Sequence, residues 1–127
     1  MKALSVRQPW ASLIASGKKT IEVRSWRTHY RGPLLICAAK KPRGLGAVGV
    51  ALAVVNLVGV RRFQRGDARA ACFEATTDQF AWLLGNVRRI DPIPVTGKLK
   101  MFDVALPERA STRTKQRPGQ RNRDNCE

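Results

Sequence analysis

The chain has one histidine, His29, and three cysteines, Cys37, Cys72 and Cys126, which are far apart and form no Cys-x-x-Cys pair. That inventory argues against a zinc site or a disulfide framework, and no metal or cofactor is expected. A serine-histidine-aspartate triad would depend wholly on His29, and no G-x-S-x-G elbow accompanies it. Long apolar runs are scarce as well. The longest, Leu45 to Val60, is broken by Asn56 and several glycines and is rich in valine, so it reads as buried strand rather than membrane helix. Met1-Lys2 leads directly into Ala3-Leu4-Ser5-Val6, without the apolar stretch and cleavage site of a secretory signal. A monomeric protein of the reducing cytoplasm, away from membranes, is the expectation.

Acidic residues are the other shortage, with 9 Asp+Glu against 24 Lys+Arg, a formal net charge of +15 and a pI near 11.3. An excess of that size points to a polyanionic partner, with nucleic acid as the leading class. The 127 residues suit one domain with one core. From Pro107 onward bulky apolar residues nearly vanish, so residues 1–106 are expected to fold and 107–127 to form a disordered basic tail. Six basic residues in that tail (Arg109, Arg113, Lys115, Arg117, Arg121 and Arg123) face three acids (Glu108, Asp124 and Glu127). The tail therefore holds +3 of the charge, and the remaining +12 belongs to the body.

Ala3 to Val6 reads as a first strand, and Pro9 opens a helix that Gly17 ends. Trp10, Leu13 and Ile14 share one face of that helix, against the core, although Trp10 beside Arg7 and Gln8 could equally edge a cleft. After Gly17 the period becomes two, with Thr20, Glu22 and Arg24 on one side and Ile21 and Val23 on the other. Leu34 to Ala39 is apolar enough for a strand covered on both faces. Ala47 to Phe63 predicts a long or broken strand with bends at Gly49 and Gly59, ended by Gln64-Arg65-Gly66-Asp67. Within 75–90 two patterns compete, a Thr77-capped helix and an alternating Phe80-Trp82-Leu84 strand, of which the strand is preferred. Asp91-Pro92-Ile93-Pro94 reads as an extended connection, and Lys98 to Leu106 as a closing strand.

Gly44-Leu45-Gly46-Ala47-Val48-Gly49 matches G-x-G-x-x-G, but its glycines feed a valine-rich strand instead of opening a helix, so no dinucleotide site is expected. Between residues 17 and 44, Lys18, Lys19, Arg24, Arg27, Arg31, Lys40, Lys41 and Arg43 surround a single acid, Glu22, with Trp26, His29 and Tyr30 interleaved. Cations hold phosphates and rings stack unpaired bases, a mixture suited to single-stranded nucleic acid or a flipped nucleotide; the alternative is a solvated basic face. Glu22 either pairs with Arg24 two residues on, as an exposed pair worth at most about 1 kcal/mol, or serves a Lys19 amine whose pKa neighbouring cations depress. Strict alternation places Lys19 opposite Glu22, although a residue in the turn after Gly17 can escape it. Cys37, in an apolar strand, reads as inert packing.

Leu4-Ser5-Val6-Arg7-Gln8-Pro9-Trp10-Ala11-Ser12-Leu13-Ile14, followed by Gly17-Lys18-Lys19-Thr20-Ile21-Glu22-Val23-Arg24-Ser25-Trp26 and Arg31-Gly32-Pro33-Leu34-Leu35-Ile36, resembles the ASCH domain family. Ala81-Trp82-Leu83-Leu84, Asn86-Val87-Arg88, Pro92-Ile93-Pro94-Val95 and Gly97-Lys98-Leu99 look like the subfamily related to the C-terminal domain of activating signal cointegrator 1, so that the resemblance covers about residues 3 to 106. It implies an α+β, mainly β fold, a PUA-like small β-barrel with flanking short helices. It also implies a cleft for RNA or a nucleotide-like small molecule. Arg7, Lys19, Arg24 and Arg27 would hold phosphates or base edges, Trp10 and Trp26 would line the pocket, and Glu22 would orient the cations. Some bacterial relatives are ribonucleases or amidohydrolases acting on acetylated cytidine, which would make Lys19 and Glu22 catalytic. The amidohydrolases carry threonine where this chain has Glu22, and a later glutamate for which Glu74 or Asp78 is the candidate here. A third reading is a protein-interaction module built on the same scaffold.

Overall fold

The computed structural model describes residues 1–106; the tail expected from Pro107 lies outside the described residues. Six strands form one sheet in the order β2-β5-β4-β3-β1-β6, comprising β1 (Lys2–Val6), β2 (Ile21–Arg24), β3 (Gly32–Ala38), β4 (Val50–Arg62), β5 (Phe80–Pro94) and β6 (Met101–Asp103). The β1/β3 pair is parallel and the other pairs are antiparallel. Helix α1 (Trp10–Ala15) follows β1, and a 3-10 turn (Arg65–Asp67) running into α2 (Ala68–Ala71) lies between β4 and β5. The sheet curls into a half-barrel, in keeping with the mainly β fold that the sequence implies. No helix among the described residues is long and apolar enough to cross a membrane.

Strand alternation sorts the core. From β1 and β3, Leu4, Val6, Leu34, Ile36 and Ala38 join Ile14 of α1, Val55, Leu57 and Trp82 in one cluster. Ala3, Leu35 and Cys37 turn to the other face, where Ala51, Val54, Ile90 and Phe102 meet them. β3 is thus covered on both sides, as its unbroken apolarity requires. A third cluster of Ile21, Phe63, Ala71 and Ala81 fixes α2 against the β2 edge. Trp82 is fully buried, and its indole nitrogen donates to the Trp26 carbonyl at 3.1 Å.

Several elements differ from their sequence expectations. Pro9 is the N-cap of α1 rather than its first residue, and Leu13 is only half-buried, so Ala11, Ile14 and Ala15 carry the apolar face. The long strand begins at Val50, after Gly49, and runs unbroken to Arg62; Gly59 sits at a shift in its register with β5. Asp91-Pro92-Ile93-Pro94 is no connection but the end of β5, with Ile93 opposite Ala51 and Pro94 opposite Val50. The prolines are tolerated there because β2 pairs only with Phe80–Leu83, leaving the far end of β5 with one neighbouring strand. The closing strand shortens to Met101–Asp103, with Leu99 92% exposed outside it. The turn and α2 after Gln64 have no counterpart among the sequence expectations. Their anchor is Asp67, which accepts two bonds from Arg61, at 2.7 and 2.9 Å, and one from the Gln64 amide.

Trp82→Ala should remove about 3–5 kcal/mol of unfolding free energy, because it empties the largest buried volume and orphans the Trp26 carbonyl. Urea unfolding followed by circular dichroism measures it, and a loss under about 1 kcal/mol would contradict the packing described.

Candidate nucleic-acid interface

The turn after α1 decides where Lys19 goes. Gly17, at φ +85°, closes the helix by donating to the Ile14 carbonyl at 3.0 Å, while the Lys18 amide reaches the Leu13 carbonyl at 3.0 Å. These are the two bonds of a Schellman motif, which a left-handed glycine makes cheap. The Lys19 amide also bonds the Leu13 carbonyl, so Lys19 belongs to the turn and precedes β2. It is therefore released from strand alternation, and its side chain enters the same space as that of Glu22.

Lys19 and Glu22 are 3% and 7% exposed. The Lys19 Nζ lies 3.5 Å from Glu22 Oε1 and donates to the Ala71 carbonyl at the end of α2. Arg24 Nε donates to Glu22 Oε2 at 3.0 Å, and its Nη2 donates to the Ser5 carbonyl of β1 at 2.8 Å. The Glu22–Arg24 pair is thus partly sheltered, in contrast to the exposed pair considered from the sequence. Burial is the main influence on Lys19, holding its pKa below the ordinary 10.5; the Glu22 carboxylate opposes that shift, while Arg24 adds only weakly to it. Desolvation, rather than the neighbouring cations invoked from the sequence, therefore leads.

These groups border a cavity of about 370 Å³, whose walls include Arg7, Trp10, Lys19, Glu22, Arg24, Trp26, Phe73 and Gln79. Trp10 stands edge-on to Phe73 at 5.5 Å, and its indole nitrogen is 3.4 Å from the Cys72 carbonyl. Trp26 packs edge-on against Trp82 at 4.7 Å, with the Lys100 ammonium 5.6 Å from its ring centroid. Arg7 is exposed at the rim. Of the seven residues given a role in the cleft, Arg7, Trp10, Lys19, Glu22, Arg24, Trp26 and Arg27, the last alone lies outside these walls, with its guanidinium over the Phe80 ring at 5.4 Å. Arg31 is occupied by the Thr28 and Tyr30 carbonyls of its own loop. Neither candidate late acid lines the cavity: Glu74 is exposed, and Asp78 is bonded by Thr76. Phe73 and Gln79 escape sequence reasoning because they sit in irregular segments with no periodicity to mark them. Cys37 is buried, and desolvation raises its thiol to about 11, which suits packing and not nucleophilic attack.

Replacing Glu22 by glutamine removes the charge that opposes desolvation, so the Lys19 pKa should fall further below 10.5. A depressed lysine pKa means that the unfolded chain binds the proton more tightly, so stability should rise with pH between the folded value and 10.5, over a wider window in the variant. Titration of the Lys19 side-chain amine by NMR in the wild type and Glu22→Gln checks the direction. An upward shift would show that Glu22 does not support the charged amine.

A model of the ASCH domain matches residues 4–94. Activating signal cointegrator 1 from Homo sapiens is 62% identical over 40 residues, and the Mus musculus protein 55% identical over 38 residues. Those stretches make up 31% and 30% of this chain but only 7% and 6% of the two relatives. Among solved structures, ASCH from Zymomonas mobilis superposes with a TM-score of 0.65 at 19% identity, covering 82% of this chain and 87% of that one. A mutant form of the same Zymomonas mobilis protein gives 0.64 at 17% identity, with 82% and 89% covered. At such identities the structural likeness speaks for the fold, whereas the family match spans most of the described residues: the chain belongs to the ASCH domain family.

Proposed function

We propose that the domain binds single-stranded nucleic acid, RNA foremost, by taking one nucleotide into the cleft between β1, the start of α1, β2 and the segment that follows α2. The observation that carries this reading is the convergence of Arg7, Lys19 and Arg24, against the single carboxylate of Glu22, with three aromatic rings around one cavity. Glu22 is already shared between Lys19 and Arg24, so the site keeps a cationic surplus for phosphate. Trp10, Phe73 and Trp26 offer apolar surface to a base, and the cavity volume falls within the range of small-ligand sites. The association of the family with RNA supports the same choice. With about five phosphates engaged, affinity for a labelled single-stranded RNA should fall roughly a hundredfold from about 50 to 200 mM salt. Arg7→Ala should weaken binding while leaving the fold intact, since its side chain stands exposed at the rim. A salt-independent titration would sink this reading.

A second reading rests on a different observation, the buried Lys19 amine with its lowered pKa beside a carboxylate. Such a pair suits proton transfer or nucleophilic attack in hydrolysis of an acylated cytidine or an RNA phosphodiester. Purified protein should then turn over one of those substrates, and Lys19→Ala should abolish turnover. Absence of turnover with both would remove the hydrolase and leave the binding domain.

A further inference from the structure

A second cavity, of about 360 Å³, opens on the other side of Ser5. Its walls include Ser5, Lys40, Thr96, Gly97, Lys98 and Leu99. Ser5 is the partition between the two. Its carbonyl accepts Arg24 in the first cleft, while its hydroxyl faces Gly97 so closely that a Cβ there would come within 3.1 Å of Ser5 Oγ. Strand alternation explains the division: Leu4 and Val6 point into one core cluster, and Ser5 follows Ala3 to the opposite face. β6 pairs with β1 only over Lys2–Leu4, so at Ser5 the ladder has ended and the segment before β6 meets β1 through packing of Gly97 on the Ser5 side chain.

That segment links the cavities. Gly97, Lys98 and Leu99 line the second, and the next residue, Lys100, places its ammonium on the Trp26 ring that lines the first. Among the described residues no carboxylate pairs with Lys40, Lys98 or Lys100. Leu99, 92% exposed between two lysines, sets bare apolar surface beside unpaired positive charge. Cation, apolar ledge and small polar groups (Ser5 hydroxyl, Thr96) together match a nucleotide more closely than they match an inorganic anion or an apolar ligand.

We propose that the cavity bounded by Lys40, Gly97 and Lys98 is a second nucleotide subsite, so that the preferred ligand is an oligonucleotide of at least two residues threaded past Ser5. This rests on the nucleic-acid reading of the first cleft. The strand places one nucleotide against Trp10 and Trp26 and its neighbour against Leu99 and Thr96, with the phosphates following Lys98 and Lys40.

The test compares uridine 5′-monophosphate with a single-stranded hexauridylate, each titrated onto the wild-type protein and the Lys40→Ala/Lys98→Ala double variant at several salt concentrations. Wild type should bind the hexamer well above the monophosphate. The double variant should keep the monophosphate affinity and lose roughly twentyfold for the hexamer at about 0.1 M salt, with a log-log salt slope shallower by about 1.4, two phosphate contacts on a single strand. Unchanged hexamer binding, equal losses for both ligands, or a wild type that prefers the monophosphate would each overturn the second subsite while leaving the first cleft standing. A wild type that binds neither ligand would overturn the nucleic-acid reading itself, and this inference with it.

Discussion

A buried carboxylate organises this half-barrel. Glu22 sits on β2, at one edge of the sheet, and each of its oxygens meets a cation. Those cations do more than neutralise it. Arg24 reaches across to the Ser5 carbonyl of β1, four strands away in the sheet order, and Lys19 reaches the carbonyl that ends α2. The β2 edge and the part of β1 beyond its pairing with β6 are thus joined by side chains where a closed barrel would use a backbone ladder. Burying three charges is costly unless their donors and acceptors are matched, and here both oxygens and the inward-facing donors have partners. The gap left between β1 and β2 is the cleft. The network that holds the opening at its width is also the chemistry displayed inside it.

Much of this is legible in the sequence, and the legible parts have clear physical signals. The strands at Ala3 to Val6 and Leu34 to Ala39 and the stop at Gly17 follow from apolar runs and a left-handed glycine, and each has its counterpart in the fold. The basic cluster with its interleaved rings, together with the resemblance to the ASCH domain family, brings Lys19, Glu22, Arg24, Trp10, Trp26 and Arg7 together as candidates, and the structure sets them around one cavity. What cannot be read depends on tertiary partners. Whether Lys19 shares a face with Glu22 turns on a Schellman closure whose second bond passes over the glycine to Lys18. The extension of β5 through two prolines requires knowing that one flank of the strand lacks a neighbour. Phe73 reaches the site from a segment with no periodic pattern, carried there by α2.

The placement of charge separates attraction from recognition. A body charge of +12 creates a field that acts at long range on any polyanion. Few of the basic residues clustered between 17 and 44 enter a cavity: Lys19 and Arg24 line the first and Lys40 the second, while Arg31 braces its own loop and Arg27 caps Phe80. Composition predicts the field well because summed charge is insensitive to direction. It predicts contacts poorly, because a contact depends on which carbonyl or ring each guanidinium finds first.

The Asp67 anchor reaches further than its position beside β4 suggests. α2 is four residues long, too short to persist as an isolated helix, so its orientation is inherited from its surroundings: the Arg61 fork and the Gln64 amide that grip Asp67 at its start, and the packing of Ala71 on Ile21 and Phe63 with the Thr20 amide on the Ala70 carbonyl. Two successive carbonyls at its far end hold the two chemically unlike walls of the cleft, Ala71 the Lys19 amine and Cys72 the Trp10 indole. Amine and ring are thereby geared together. A tilt of this one helical turn, set from a residue outside the cavity, would move the charge and the flat surface in concert, so the spacing between them is a property of α2 and not of either side chain alone.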